Sequence, residues 1–410
     1  METMNKRKIL LILILSLLIF VSFVTFGSLF KKNKLSFFAS KVIDICSKKE
    51  DKAACYDVEI PKLLSKRYVS MEEAFAVTKI IQEKDRSYLF CHVLGHNLAD
   101  VETKKDPSKW LDVVSRCPAL ECNNGCPHGA IMRRFKGEEV LNNDQIDAIL
   151  PDLKIACEKR DKWNPTEVES FMCYHSMGHV LMYITNADID KSLEICKEIG
   201  VKGDGRDYYQ TCAQGVFMII FQGLDPEDIS LVSSITPKKD NVVNFCNKYT
   251  GLENVACRTE AWPLYYSEFE DPSSLNSFCA FTTNKYDKYW CFDTVLRGPL
   301  TLDLLNSSGI EKVAEYCLKL NFDMREHCFA AISTSWVQDE PGFASDSISL
   351  CKKSEEFGLS GECYYDLLYY SKYSFHKDTP EWRDYCNAFD GDNKEKCISG
   401  DVPDSFKNLE

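Results

Sequence analysis

Five of the seven histidines lie between positions 92 and 179, and four of these form two pairs spaced i, i+4: His92 and His96 in CHVLGHNLAD, and His175 and His179 in CYHSMGHVLMY. Residues four apart share one face of a helix, with about 6 Å between Cβ atoms, so each pair can aim two imidazoles at a single ion. The fifth, His128 in CPHGAIM, stands two residues after its cysteine, as His175 does in CYHSMGH, and CAQGVFM puts Gln214 at that offset one unit later. If the helices carrying these segments stack side by side, equal offsets line one surface and the five rings converge. Asp100 falls one turn beyond His96, where it could be a ligand or accept an imidazole N–H.

The candidate metal ligands are therefore His92, His96, His128, His175, His179 and Asp100. Gly95, Gly129, Ser176, Gly178 and Gly215 stand beside them. Glycine is costly inside a helix, so its repeated use there implies close backbone approach or room for a bound group. Imidazole-rich ligation suits a transition metal ion: zinc, copper or iron. Met132, Met182 and Met218 favour copper if they face the site, although methionine on a helix usually fills core. The H-E-x-x-H pattern of zinc proteases is missing, as is a C-x-x-C-H haem attachment. An open position on the ion would permit oxidative or hydrolytic chemistry. Two other readings compete with a metal: a structural polar cluster, and a pocket for an organic ligand or peptide.

The elements that must position these residues are legible in the twenty cysteines. From Cys157 onward they fall into close pairs: Cys157 with Cys173, Cys196 with Cys212, Cys246 with Cys257, Cys279 with Cys291, Cys317 with Cys328, Cys351 with Cys363 and Cys386 with Cys397. The pairs recur at the period of two-helix repeats. A short loop plus roughly one helical turn on each side puts two Cβ atoms face to face across antiparallel helices, so local pairing is expected. Cys46 with Cys55 and Cys117 with Cys126 repeat a shorter spacing, which leaves Cys91 to bridge Cys122. Within SGIEKVAEYCLKLNFDMREHCFAAISTSWVQ the helical pattern breaks near Asn321–Asp323. In the next unit Gly358 and Gly361 bracket the turn, with Ser360 as the expected N-cap.

Residues 9–30 are consecutive uncharged, mostly apolar positions preceded by Lys6, Arg7 and Lys8, and read as an uncleaved transmembrane anchor, with Thr25–Gly27 a weak cleavage candidate. Twenty cysteines require an oxidising compartment, so the N-terminus belongs in the cytoplasm and the rest outside it. The expected fold is all-α: an N-terminal transmembrane helix, then a solenoid-like or toroidal array of disulfide-stapled hairpins. The organisation expected is 1–8 cytoplasmic stub, 9–30 anchor, 31–240 histidine-containing hairpins and 241–410 aromatic-rich hairpins.

A formal net charge of −13, more negative still without the basic flanks of the anchor, disfavours nucleic acid as a partner. The second half holds only His327 and His376 and is aromatic-rich. Its Tyr365, Tyr369 and Tyr373 stripe reads as core packing between hairpins, or else as a contact surface for a peptide or glycan. Asn306-Ser307-Ser308 is a glycosylation sequon. The competing class is a non-enzymatic scaffold that binds a protein, peptide or glycan on a concave surface.

Overall fold

The computed structural model describes residues 33–85, 87–88, 91–118, 121–135, 141–223, 226–297, 300, 309–339 and 343–403. The expected anchor at 9–30, its flanks and the sequon at 306–308 lie outside them. Among the described residues no helix is long and apolar enough to cross a membrane, and there is no β-strand, only the isolated bridges Arg160–Trp163 and Val201–Asp207. The chain divides into two compact units at Leu89–Phe90.

The first unit holds three helices: α1 (33–46), α2 (Lys52–Ser65) and α3 (Met71–Lys84). Cys46–Cys55 staples the first two. Asp51 caps α2, and Ser70 caps α3 through a reciprocal pair with Glu73. Tyr56, Ile60, Leu64, Phe75 and Ile81 fill its core.

The second unit opens with α4 (His92–Lys104), α5 (Trp110–Arg116), α6 (Gly125–Phe135), α7 (Asn143–Ala156), α8 (Glu167–Ile184), α9 (Ile189–Gly200) and α10 (Tyr209–Phe221). There follow α11 (Pro226–Val232), α12 (Val242–Cys246), α13 (Gly251–Glu260), α14 (Pro272–Phe278) and α15 (Lys285–Leu296). The last are α16 (Ile310–Lys319), α17 (Arg325–Asp339), α18 (Ala344–Glu355), α19 (Gly361–Ser374), α20 (Pro380–Asn387) and α21 (Gly391–Ser399).

All ten bridges join the cysteines that spacing pairs, with Cα separations from 4.7 Å in Cys91–Cys122 to 5.8 Å in Cys279–Cys291. Each local staple ties the end of one helix to the first turns of the next. Cys126 in the first turn of α6 bonds to Cys117 at the end of α5. Cys257 of α13 bonds to Cys246 of α12, and Cys397 of α21 bonds to Cys386 of α20. Cys157 with Cys173, Cys196 with Cys212, Cys279 with Cys291, Cys317 with Cys328 and Cys351 with Cys363 close the remaining local pairs. Their number places this chain in an oxidising compartment.

The break expected at Asn321–Asp323 is a 3-10 turn, Phe322–Met324, between α16 and α17. Gly358 turns with φ +69°, while Ser360 precedes α19 without a side-chain cap bond. Replacing Cys196 and Cys212 together by serine should lower stability by about 3 kcal/mol, since the bridge closes a loop of sequence separation 16. The urea midpoint measures it, and an unchanged midpoint would show that packing alone holds that hairpin.

The stapled second helices stack in chain order, α6 on α8, α8 on α10, α10 on α13, α13 on α15, α15 on α17 and α17 on α19, with α4 against α6. Late hairpins also touch early ones: α19 lies against α8, and α17 against the 3-10 turn Glu121–Asn124. Tyr365, Tyr369 and Tyr373 stack along α19 with centroids 5.7 and 4.2 Å apart, half-buried, the first two packed on the core of the later hairpins.

Candidate metal centre

The helix that carries two of the histidines is buried on nearly every side. The side chain of Thr166 accepts from Glu169 N–H, and Glu169 accepts from the backbone of Thr166 at 2.7 Å, so α8 starts at a fixed residue. Beyond that cap its Cys173, Tyr174, Met177, Val180, Leu181 and Met182 are fully buried. A helix apolar all round sits inside the protein, so His175 and His179 enter its interior rather than solvent.

Glycines fix how closely the neighbouring helices approach. A Cβ on Gly125 would lie 2.1 Å from the carbonyl oxygen of His92, and one on Gly129 2.3 Å from that of His96. Between α8 and α10 the device recurs, with a Cβ on Gly215 2.0 Å from the His175 carbonyl and one on Gly178 2.2 Å from that of Cys212. Each pair of helices thus meets backbone to backbone at its histidines. Expected from sequence as room for a group or as close approach, Gly95, Gly129, Gly178 and Gly215 serve close approach, and Gly125 joins them.

The contact gathers the rings. His92 Nε2 and His96 Nε2 are 2.9 Å apart, and the ligand atoms of His92, His96 and His128 all lie within 4.8 Å of one another. The His128 ring is 4.0 Å from that of His96 and 4.5 Å from that of His179, centroid to centroid. His179 Nε2 lies 3.3 Å from His175 Nε2, which is itself 3.1 Å from Met218 Sδ. All five predicted histidines therefore form one chain of rings across α4, α6 and α8.

Burial holds four of these rings neutral. His96, His128 and His175 are pushed well below the ordinary imidazole range, first by desolvation and then by their neighbours' charge when protonated, and His179 falls to about 3 for the same reasons. A neutral imidazole offers a lone pair without having to lose a proton. For a tetrahedral ion with metal–nitrogen bonds of about 2.0–2.1 Å, two ligand nitrogens stand about 3.3 Å apart. The His92–His96 pair is already inside that separation. His92, His96 and His128 are a buried triad that could hold a metal ion.

The other expected residues go elsewhere. Asp100 is half-exposed and pairs with Arg133 of α6 at 3.6 Å, outside the triad. Gln214 turns to Glu260 of α13, whose carboxyl also accepts from Gln222 Nε2 at 2.6 Å and is pushed up by burial to about 8. Met182 is core, Met132 is half-buried, and Met218 meets the rings.

Sequence reasoning missed a second buried cluster among the later hairpins. His327 Nδ1 on α17 lies 2.7 Å from Glu362 Oε1 on α19. Its Nε2 is 3.2 Å from Asp293 Oδ1 on α15, an ion-pair distance without the alignment of a hydrogen bond. Tyr289 stacks on the ring at 3.9 Å. Burial pulls this imidazole down, but the two carboxylates outweigh it and raise it to about 10, whereas burial pushes Asp366 up to about 7. The i, i+4 spacings Asp293–Arg297 and Glu362–Asp366 were the available signal.

No family model, curated protein or solved structure matches this chain.

Proposed function

We propose that this chain is a membrane-anchored, extracytoplasmic helical-repeat protein that binds a transition metal ion through His92, His96 and His128. Residues 9–30 supply the anchor in this reading, and within the second unit the contact of α19 with α8 favours a closed over an open run of hairpins. The observation that carries the proposal is the convergence of three imidazoles whose ligand atoms lie within 4.8 Å of one another, two of them buried and the third half-buried. A purely structural histidine cluster needs each N–H to find an acceptor. Here rings face rings, and each neutral imidazole brings one ring-nitrogen lone pair that a metal ion can take. Zinc, copper and iron all accept such a donor set. With three protein ligands a fourth position stays open for water or substrate, which is the arrangement that polarises a carbonyl or activates water.

The test uses the full-length chain purified without chelator or nickel resin. Elemental analysis should find about one transition-metal equivalent or more, and His92→Ala with His96→Ala should remove it from the triad while the helical circular dichroism is retained. A wild type that takes up no metal from zinc, copper or ferrous solutions, beside a double variant that only loses stability, would falsify the metal reading and leave a structural cluster.

A further inference from the structure

The triad does not use the far end of the ring chain, and there the donor atoms change character. His175 Nε2 lies 3.3 Å from His179 Nε2 and 3.1 Å from the thioether sulfur of Met218. A single ring nitrogen bears either a proton or a lone pair, and one proton serves one partner. Whichever contact the proton serves, the other brings two electron-rich atoms together in a dry interior. A cation between the three atoms removes that conflict. On a tetrahedral ion two nitrogens stand about 3.3 Å apart, and a nitrogen and a sulfur about 3.5 Å, given bonds near 2.0 and 2.3 Å. The first separation matches the imidazole pair, while the imidazole–sulfur contact is about 0.4 Å shorter than the second and has to open by that much as the ion enters.

We infer a second metal subsite, formed by His175, His179 and Met218, that takes monovalent copper. The inference rests on reading the histidine cluster as a metal centre, and adds a separate ion of stated class. Three features select that class. Thioether sulfur is a soft donor that prefers Cu(I) to zinc or ferrous iron. All three donors are neutral, and their contacts are rings and sulfur rather than carboxylates. The cost of burying an ion grows with the square of its charge, so a single charge costs roughly a quarter as much as a double one. The subsite is also built rather than incidental. Gly178 and Gly215 lock α8 to α10 at van der Waals range, and Cys157–Cys173 and Cys196–Cys212 staple the first turns of both helices. The ligand triple His175, His179, Met218 is therefore preorganised by backbone contacts that its side chains do not make. His128 stands between the two subsites, 4.5 Å ring to ring from His179.

The test titrates the full-length chain with Cu(I), held reduced by ascorbate, against a chromogenic Cu(I) chelator. Wild type should withdraw two equivalents. Met218→Leu, a volume-conserving change that should leave the urea midpoint unmoved, should weaken the second equivalent at least tenfold while leaving zinc binding at the triad intact. X-ray absorption at the copper edge should show a sulfur neighbour in wild type that Met218→Leu loses. The double variant His92→Ala, His96→Ala should still hold one equivalent that depends on Met218. If Met218→Leu retains both equivalents and no sulfur is detected in wild type, the subsite is overturned, even where the triad binds zinc. If the triad variants lose all zinc uptake but the sulfur signal persists, the subsite stands independently of the divalent site. Uptake of neither ion by wild type overturns both readings.

Discussion

Gly215→Ala should unfold the histidine-bearing half of the second unit or cost at least about 3 kcal/mol, the upper end of what one added methyl group does in a packed core. The added Cβ would stand 2.0 Å from the carbonyl oxygen of His175, and the atoms beside it are backbone on both sides. No rotamer change relieves that clash. Either α8 and α10 separate, or the His175 peptide turns, and both movements carry His175 and Met218 apart. Gly129→Ala should act alike on the triad, through the carbonyl of His96 at 2.3 Å.

The control is Gly203→Ala, at a position where an added Cβ meets nothing within 4 Å. It should leave the urea midpoint and the metal content within error of wild type. An alanine at 215 tolerated as well as one at 203 would mean that the helices do not meet where the structure places them, and the arrangement of the rings would go with it. Because metal bound to the folded form adds stability by mass action, the midpoint is best measured after chelation, with uptake measured separately.

Much of this was readable from residue spacing, for a physical reason. A disulfide across a helical hairpin depends on one loop and one turn on each side, so Cys317 and Cys328 or Cys351 and Cys363 announce their pairing within a dozen residues. The single non-local bridge, Cys91–Cys122, was fixed by what remained. The histidines were readable because second helices stack in order, which turns equal offsets from a cysteine into a common surface: Cys126 and Cys173 each stand two residues before a ring of the chain. What spacing cannot contain is the partner from another helix. Asp100 shares a face with His96, but Arg133 arrives from α6 and takes its carboxylate. Gln214 repeats the offset of His128 and yet faces Glu260, because α13 lies on that side of α10. Met182 and Met218 are alike in sequence, and only the tertiary packing sends one to the core and the other to the rings. The cluster around His327 was hard to read on the same ground: the charged pairs at i, i+4 are visible, but nothing in the spacing brings the carboxylates of α15 and α19, each more than thirty residues away, to the ring.

Acid should destabilise the metal-free protein steeply, beginning near pH 6.5. In the fold His96, His128 and His175 resist protonation through burial, and His179 takes a proton only at about pH 3, whereas in the unfolded chain each ring protonates near 6.5. Below 6.5 the unfolded state therefore binds more protons than the native state, and stability falls as pH falls. Each ring contributes a slope of at most about 1.4 kcal/mol per pH unit while it stays unprotonated in the fold, and four such rings pull in the same direction. His327 works in the opposite direction. Its native value is raised to about 10, so its contribution is complete below 6.5 and disappears as pH rises through 10. The acid limb thus belongs to the ring chain, while on the alkaline side Asp366 and Glu260, raised to about 7 and 8, lose their contribution first and His327 last. Urea midpoints of the chelated full-length chain between pH 5 and 10 should trace a dome, with His128→Gln flattening its acid side and His327→Gln its alkaline side. Bound metal should steepen the acid limb, since protons then compete with the ion for the same lone pairs. A chelated wild type equally stable at pH 7.5 and 5 would show that the rings protonate freely in the fold, and a cluster that does so is solvated rather than dry.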